Sequence, residues 1–329
     1  MRVMVTGASG QVGRELEIAL LNRGHEVLLC PHERLSICDK EAVEAAVAEG
    51  GAQLVINAAA YTNVEKAEGE GQTAAFEVNA LGAGILAGAA ARHGLPLLHI
   101  STDYVFSKET GRPHDEDEDT CVKCVYGRTK LEGEERVMAA GGNSLIVRAS
   151  WIFGRFGRNF VKTMLRVAQE RGEVAVVSDQ RGNPTPARAL AEALVLMGER
   201  VLTSDEDLRG IYHFAGAEAT TWDEFAREIF RTARILNCLN HDVKVKSIAS
   251  FQYQSAVTRP FDSRLNCDRL NRVFGIGMPV WQDYLPETLR AGFDELYPKV
   301  QAAEGQAKSE NGQERRADTA GKEASDESN

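Results

Sequence analysis

Apolar positions along this chain follow two alternating periods. Short runs of aliphatic and β-branched residues, Arg2–Thr6 and residues 26–29, 54–60 and 97–101, carry apolar side chains at consecutive positions, as strands covered on both faces do. Between them, residues 11–23 place Val12, Leu16, Ala19 and Leu20 at helical spacing. Residues 65–92 form an Ala- and Gly-rich helical region, interrupted around residues 69–71 and stopped by Gly94-Leu95-Pro96. A further helix opens at Tyr126 and runs on through Leu131, Glu134, Val137 and Met138. Strands alternating with helices at this spacing predict an α/β fold, a Rossmann-type doubly wound parallel sheet. From Trp151 the alternation loosens. Thr221-Trp222-Asp223-Glu224 has the form of a capping box. Behind it Trp222, Phe225, Ala226, Ile229, Phe230 and Ala233 make an apolar stripe that reads as core.

The first strand feeds the first helix through Thr6-Gly7-Ala8-Ser9-Gly10-Gln11-Val12-Gly13. Gly7 suits the positive φ of a sharp turn, Gly10 holds no side chain against an approaching pyrophosphate, and Gly13 lets the helix pack close to the sheet. Free N–H groups at the helix N-terminus then face the anion. We read this as a dinucleotide-binding turn. Residues 1–150 are accordingly expected to bind the dinucleotide. Residues 151–300 are expected to form mainly a smaller C-terminal substrate-binding lobe, with 187–201 returning to the main sheet. Residues 301–329 contain no aromatic and no aliphatic larger than Ala, and read as a disordered tail.

The end of the second strand bears on the choice of cofactor. NAD sites of this type place a carboxylate there, whereas NADP sites offer an arginine. The sequence gives Cys30-Pro31-His32-Glu33-Arg34, which favours NADPH and leaves NADH possible.

Composition narrows the class. The formal net charge is −10, of which residues 301–329 supply −3 through seven acidic and four basic side chains. Such a balance gives no broad positive field for nucleic acid. No apolar run approaches the roughly 18 residues of a membrane helix, and the chain opens directly on a strand with no secretory leader, so a cytoplasmic protein is expected. The six cysteines, Cys30, Cys38, Cys121, Cys124, Cys238 and Cys267, are scattered as reduced thiols rather than as a disulfide framework. Cys121 and Cys124 lack the second pair that a zinc site needs. Residues 115–119 are five consecutive carboxylates and read as a solvated loop.

Tyr126 and Lys130 carry the candidate chemistry. Residues four apart on a helix share a face about 6 Å apart along the axis, so a phenol and an ammonium can converge there. Lowering a phenol by about three pKa units takes roughly 4 kcal/mol of preferential phenolate stabilisation, which a lysine and a positively charged nicotinamide can supply. Tyr126 would then protonate a ketone oxygen as hydride reaches carbon, with Thr102, at a strand's carboxyl end, donating a second hydrogen bond. Arg148, Arg158, Arg181, Arg259 and Arg264 are candidates to clamp a diphosphate.

These motifs, with Asn57-Ala58-Ala59-Ala60-Tyr61-Thr62, Ser101-Thr102-Asp103-Tyr104-Val105-Phe106, Arg148-Ala149-Ser150-Trp151-Ile152-Phe153-Gly154, Asn159-Phe160-Val161, Asp179-Gln180-Arg181-Gly182-Asn183-Pro184-Thr185 and Arg259-Pro260, give the chain its resemblance. Over residues 1 to about 295 it resembles the extended short-chain dehydrogenase/reductases, and within them the dTDP-4-dehydrorhamnose reductases. The resemblance implies reduction of the 4-keto group of dTDP-6-deoxy-L-lyxo-4-hexulose to dTDP-L-rhamnose. It implies Tyr126 as proton donor with Lys130 as its partner, Thr102 and Asp103 at the reacting end of the nucleotide sugar, and Trp151 and Arg259 in the substrate site. Gly7, Gly10, Gln11, Val12, Gly13, Arg34, Ser36, Ile37, Ala60, Tyr61 and Thr62, with Tyr126 and Lys130, would touch the cofactor. The partner is a nucleotide-sugar substrate, with a homodimer possible.

The chain also departs from its relatives. Ser36-Ile37 stands where many have Asp-Leu or Asp-Phe, and Cys121-Val122-Lys123-Cys124 replaces a proline-containing approach to the tyrosine. Where some members carry a glutamate of an intersubunit magnesium site, this chain has Arg188; Glu15 remains, and no metal site is read here. Two other readings fit the same motifs: a non-catalytic NADP-binding regulatory subunit like the methionine adenosyltransferase β subunit, and another sugar-nucleotide reductase or epimerase of the extended family.

Overall fold

A computed structural model of the protein describes residues 1–298. The expected tail at 301–329 lies outside them. At its centre is a six-stranded, all-parallel sheet built from β1 (Arg2–Thr6), β2 (Glu26–Cys30), β3 (Leu54–Asn57), β4 (Leu97–Thr102), β5 (Ser144–Ala149) and a last strand, Gly210–Phe214. From one edge the order is Gly210–Phe214, β5, β4, β3, β1, β2. The chain leaves β1 for β2 on one side and returns to β3 on the other, so the order reverses at β1. Ligands of open parallel sheets bind outside the strand ends at such a point.

Both faces of the sheet are covered. Val3 and Val5, Leu54 and Ile56, and Leu145 and Val147 pack on one side with Leu16 and Leu20 of α1 (Gln11–Asn22) and Leu190 and Leu194 of the helix Ala187–Thr203. Met4, Val55, Leu97 and Ile146 alternate to the other side, against Val43 and Val47 of α2 (Lys40–Glu49) and against Leu86 and Val137. Period-2 alternation with both faces apolar explains the continuous hydrophobic runs of the sequence. The third run is shorter as a strand than its sequence suggests: β3 ends at Asn57, and Ala58, Ala59 and Ala60 form the loop beyond it.

Residues 72–92 are helical throughout, with a π-helical stretch at Glu77–Gly82. Contrary to the sequence reading, this 21-residue helix is by length and composition long and apolar enough to cross a membrane, with a mean hydropathy of 1.4 over its most apolar 18 residues. Its alanines and glycines serve close packing instead: Ala83, Leu86, Ala87 and Ala90 are buried against the sheet and its neighbouring helices.

A second core lies beyond β5. Val161 and Leu165 of the helix Phe160–Glu170, Phe225, Ile229 and Phe230 of the helix Trp222–Ile235, and Leu285 and Leu289 of the helix Leu285–Leu296 enclose it with Trp281. A two-stranded parallel ribbon, Glu173–Val177 with Lys244–Ile248, closes one side. Glu224 accepts a hydrogen bond from the Thr221 N–H at 3.3 Å, so the capping box starts its helix.

The acidic run at residues 115–119 is less solvated than its sequence suggests. Glu116 is buried and accepts from the His213 N–H, Asp115 and Glu118 pair with Arg112, and Asp117 pairs with Arg269. Cationic partners from outside the run offset the repulsion expected within it.

Candidate active site

The loop between β1 and α1 lies at the sheet's switch point. Gly7 has φ +66°, and a Cβ there would sit 2.5 Å from the Ala59 nitrogen. A Cβ on Gly13 would sit 2.3 Å from the Gly7 carbonyl oxygen, so the helix meets the turn at backbone contact. Gly10 caps α1 without a side chain, which leaves the N–H groups of its first turn open to an anion.

Gly10, Gln11 and Val12 form one wall of a cleft of about 630 Å³. Ala58, Ala59, Ala60 and Thr62 form the next wall, a surface low enough for a flat ring. Ile100, Ser101 and Thr102 make the floor, while Phe160 and Trp222 close it from the second core, with Ile152 and Arg158 beside them. Gln11 ties the two sides together: its amide nitrogen donates to Ile152 O at 3.3 Å and its oxygen accepts from Asn159 at 2.8 Å. Side-chain-free backbone at a helix N-terminus, followed by an alanine wall, fits a dinucleotide with its phosphates on α1.

Tyr126 and Lys130 both line this cleft from the helix Val125–Ala139. Cys124 caps that helix, its sulfur accepting from the Gly127 N–H at 3.4 Å. Lys130 Nζ does not bond the phenol. It donates to the Ile100 carbonyl at 2.7 Å and stands 3.4 Å from His99 Nε2. Burial pushes Lys130 down to about 8, against the attraction of Glu134. Burial likewise raises the Tyr126 phenol, with a Thr102 hydrogen bond acting in the opposite direction. The expected fall in the phenol's pKa is therefore absent from the protein alone, because burial disfavours the phenolate and the lysine does not bond it.

Thr102 donates to Asp103 Oδ1 at 3.2 Å and accepts from the Tyr104 N–H. Asp103 lies behind it, buried, with Oδ2 unpartnered. Burial pushes this carboxyl up to about 6, with bonds from Ser263 and Thr102 opposing. Tyr104 packs edge-on against Tyr126, ring centroids 5.5 Å apart.

Other residues singled out in the sequence fall outside the cleft wall. Trp151, at φ 44°, stacks on Trp222 with centroids 3.5 Å apart, so it backs the wall rather than forming it. Arg259 is anchored to Glu65 at 2.7 Å, beside the wall residue Val64. Tyr61 is bound through its backbone to Asn79. Arg34 is exposed beyond β2 and donates to Leu29 O, Ser36 accepts from the Cys38 N–H, and Ile37 is buried in the core under the 72–92 helix. Of the arginines, Arg148 is no diphosphate clamp: it is 2% exposed and forked onto Glu134 at 2.6 and 3.0 Å. Arg264 is paired with Asp262, whereas Arg158 does face the cleft. Arg188 bonds Glu192 and Glu287, and Glu15 is held by Arg155.

Sequence reasoning missed several members. Trp222, assigned to the core stripe, turns its indole to the cleft. Asn79, in the π-helical stretch, donates to both Tyr61 O and the Thr129 hydroxyl, each at 3.1 Å, and so fixes the Tyr126 helix to the cofactor-side loop. An added residue in a helical turn leaves no mark in a hydrophobic pattern, yet such bulges gather at functional sites. His99 read only as a strand residue, and Asn57 only as the start of a motif with no role of its own.

A glycine turn at the reversal point of a parallel sheet, facing a tyrosine and lysine one turn apart, places the molecule among the dinucleotide-binding proteins of the extended short-chain dehydrogenase/reductase type. A family model described as the RmlD substrate binding domain matches residues 1–292, and the chain belongs to that family. It is 39% identical over 284 residues to the dTDP-4-dehydrorhamnose reductase of Sinorhizobium fredii, covering 86% of this chain and 95% of that relative. Among solved structures, a dTDP-4-dehydrorhamnose reductase from Clostridium acetobutylicum superposes with a TM-score of 0.80 at 35% identity, covering 88% of this chain and 99% of that one. Another, from Bacillus anthracis in complex with NADP, gives a TM-score of 0.78 at 34% identity, covering 86% and 96%.

Proposed function

We propose that this chain catalyses the NAD(P)H-dependent reduction of the 4-keto group of dTDP-6-deoxy-L-lyxo-4-hexulose, giving dTDP-L-rhamnose. What carries the reading is the meeting of Tyr126, Lys130 and Thr102 with the glycine turn in one cleft, in a chain similar over 95% of a relative's length to an enzyme named for that reaction. When bound, a reduced nicotinamide supplies the hydride. Tyr126 gives its proton to the ketone oxygen as that oxygen gains charge, and the resulting tyrosinate is reprotonated before the next turnover. Thr102 and Asp103 orient the reacting end of the sugar, and Trp222, backed by Trp151, offers a flat apolar face to it. Gly10, Gln11 and Val12 receive the cofactor's diphosphate, Ala60 and Thr62 its nicotinamide half. Gly7 and Gly13 keep the turn tight, and the backbone at Tyr61 continues the wall. Beyond β2, Arg34, with Ser36 and the backbone at Ile37, whose side chain is buried, forms the adenosine side and favours NADPH over NADH. In this reading Arg158, which lines the cleft, meets the substrate's diphosphate, and Arg259 joins it on leaving Glu65. The lobe beyond β5 holds the nucleotide sugar. Six free cysteines suit a cytoplasmic site of action.

The test is a panel of dTDP-, GDP- and UDP-linked 4-ketosugars with each reduced cofactor, followed at the nicotinamide absorbance. Oxidation of NADPH with the dTDP-linked 4-keto-6-deoxyhexose, and little with the others, is expected. Absence of turnover with every dTDP-linked ketone contradicts the reading.

A further inference from the structure

Thr6, Asn57 and His99 occupy facing register positions on β1, β3 and β4, and all three are buried. Their side chains form one hydrogen-bonded row beneath the glycine turn, and the backbone sets its polarity. The Ala59 N–H donates to Asn57 Oδ1 at 3.1 Å, and the Thr6 hydroxyl donates to the same oxygen at 2.7 Å. A backbone N–H can only donate, so Asn57 turns its oxygen to Ala59 and its NH₂ to His99 Nδ1, 2.9 Å away. His99 Nδ1 is therefore an acceptor. Burial holds this imidazole far below its ordinary pKa, with the Lys130 charge adding to the effect. The ring is neutral and carries its single proton on Nε2, which faces Lys130 Nζ at 3.4 Å.

We propose that His99 is a positioning residue that holds an N–H toward the Lys130 nitrogen and so favours the lysine's free amine over its ammonium. A free amine offers its lone pair to His99 and keeps an N–H for the Ile100 carbonyl. An ammonium has no lone pair and meets His99 donor to donor. The opposing influence is Glu134, on the lysine's own helix, but its carboxylate already receives Arg148 and the Ser101 hydroxyl. From the same helix Tyr126 faces the cleft, and Asp103, beyond β4, lies next to the phenol rather than the lysine. In the reduction proposed above, on which this step rests, the lysine acts as the proton reserve. Lys130 Nζ does not itself bond the phenol, so a bridging water gives its proton to the tyrosinate and takes one from the ammonium, leaving the amine and a restored phenol, and the amine takes its next proton from solvent.

Nitrogen NMR of histidine-labelled resting protein reads the tautomer directly. A protonated Nε2 and a bare Nδ1 are expected for His99 between pH 6 and pH 8; an Nδ1–H ring or an imidazolium overturns the proposal. In protein labelled with ¹³C-lysine, with the signal assigned through Lys130→Arg, His99→Phe should raise the Lys130 titration midpoint by about one pH unit. The kcat profile should move the same way. His99→Gln, whose amide N–H reaches toward the same place, should restore the parent midpoint. A folded His99→Phe with an unmoved midpoint contradicts the proposal. If the parent turns over no 4-keto sugar nucleotide, the assigned reaction fails, while both NMR readings on the resting protein still decide the role of His99.

Discussion

Tyr126 and Lys130 stand one turn apart on the same helix, yet Lys130 Nζ donates to the Ile100 carbonyl at 2.7 Å and not to the phenol. The lysine is thereby fixed to the end of β4, with its charge buried. Its folded pKa of about 8 lies below the ordinary 10.5, so protonation is penalised in the fold. That penalty is complete below pH 8 and fades as pH rises toward 10.5. Lys130→Met should therefore abolish most turnover while gaining stability relative to the parent at pH 7. The gain should exceed that at pH 10.5 by up to about 3 kcal/mol in urea denaturation.

Asp103 presents the opposite charge with a related consequence. Its folded pKa of about 6 lies above the ordinary 3.8, so the fold retains a proton that the unfolded chain releases. Stability contributed by that proton is present below pH 3.8 and lost as pH rises through 6. Asp103→Asn keeps an acceptor for the Thr102 hydroxyl and removes the titration. It should leave stability nearly unchanged at pH 4 and raise it at pH 8 by up to about 3 kcal/mol, read from denaturation midpoints at the two pH values.

Arg148 reaches from β5 to Glu134 on the helix Val125–Ala139, with both groups nearly dry. Removing one partner strands a buried charge. Arg148→Met should cost about 3–5 kcal/mol in urea denaturation, and Arg148→Met with Glu134→Leu should recover much of it. A clamp on substrate would instead show itself as a raised KM at unchanged stability.

The sheet and its glycine turn were legible because each rests on local rules: consecutive apolar runs for covered strands, helical spacing for α1, and glycines where backbones touch. Tyr126 and Lys130 were legible because a four-residue spacing fixes a helix face. What escaped depended on partners distant in sequence. Arg148 looked like a free cation until β5 placed it against Glu134. Trp222 looked like core because a helical stripe cannot show which of its aromatics lies at the edge. The acidic run at 115–119 looked solvated because Arg112, Arg269 and the His213 N–H meet it only in the fold. His99 gave no signal and Asn57 only a place in a motif, since their pairing follows from the register of β3 and β4.

In the proposed reading, cofactor preference rests on Arg34, exposed just beyond β2. Arg34→Ala should raise KM for NADPH several-fold and leave KM for NADH nearly unchanged, because only the former carries a 2′-phosphate on its adenosine ribose for the guanidinium to meet. Initial rates with both cofactors check this.

The most direct measurement compares the parent and Tyr126→Phe in single-turnover reduction of the dTDP-linked 4-keto-6-deoxyhexose, with NADPH binding followed separately by fluorescence. The account predicts a rate lower by about 10²–10⁴-fold with cofactor affinity unchanged, since only the donated proton is lost. A Tyr126→Phe enzyme that reduces the ketone at the parent rate contradicts it.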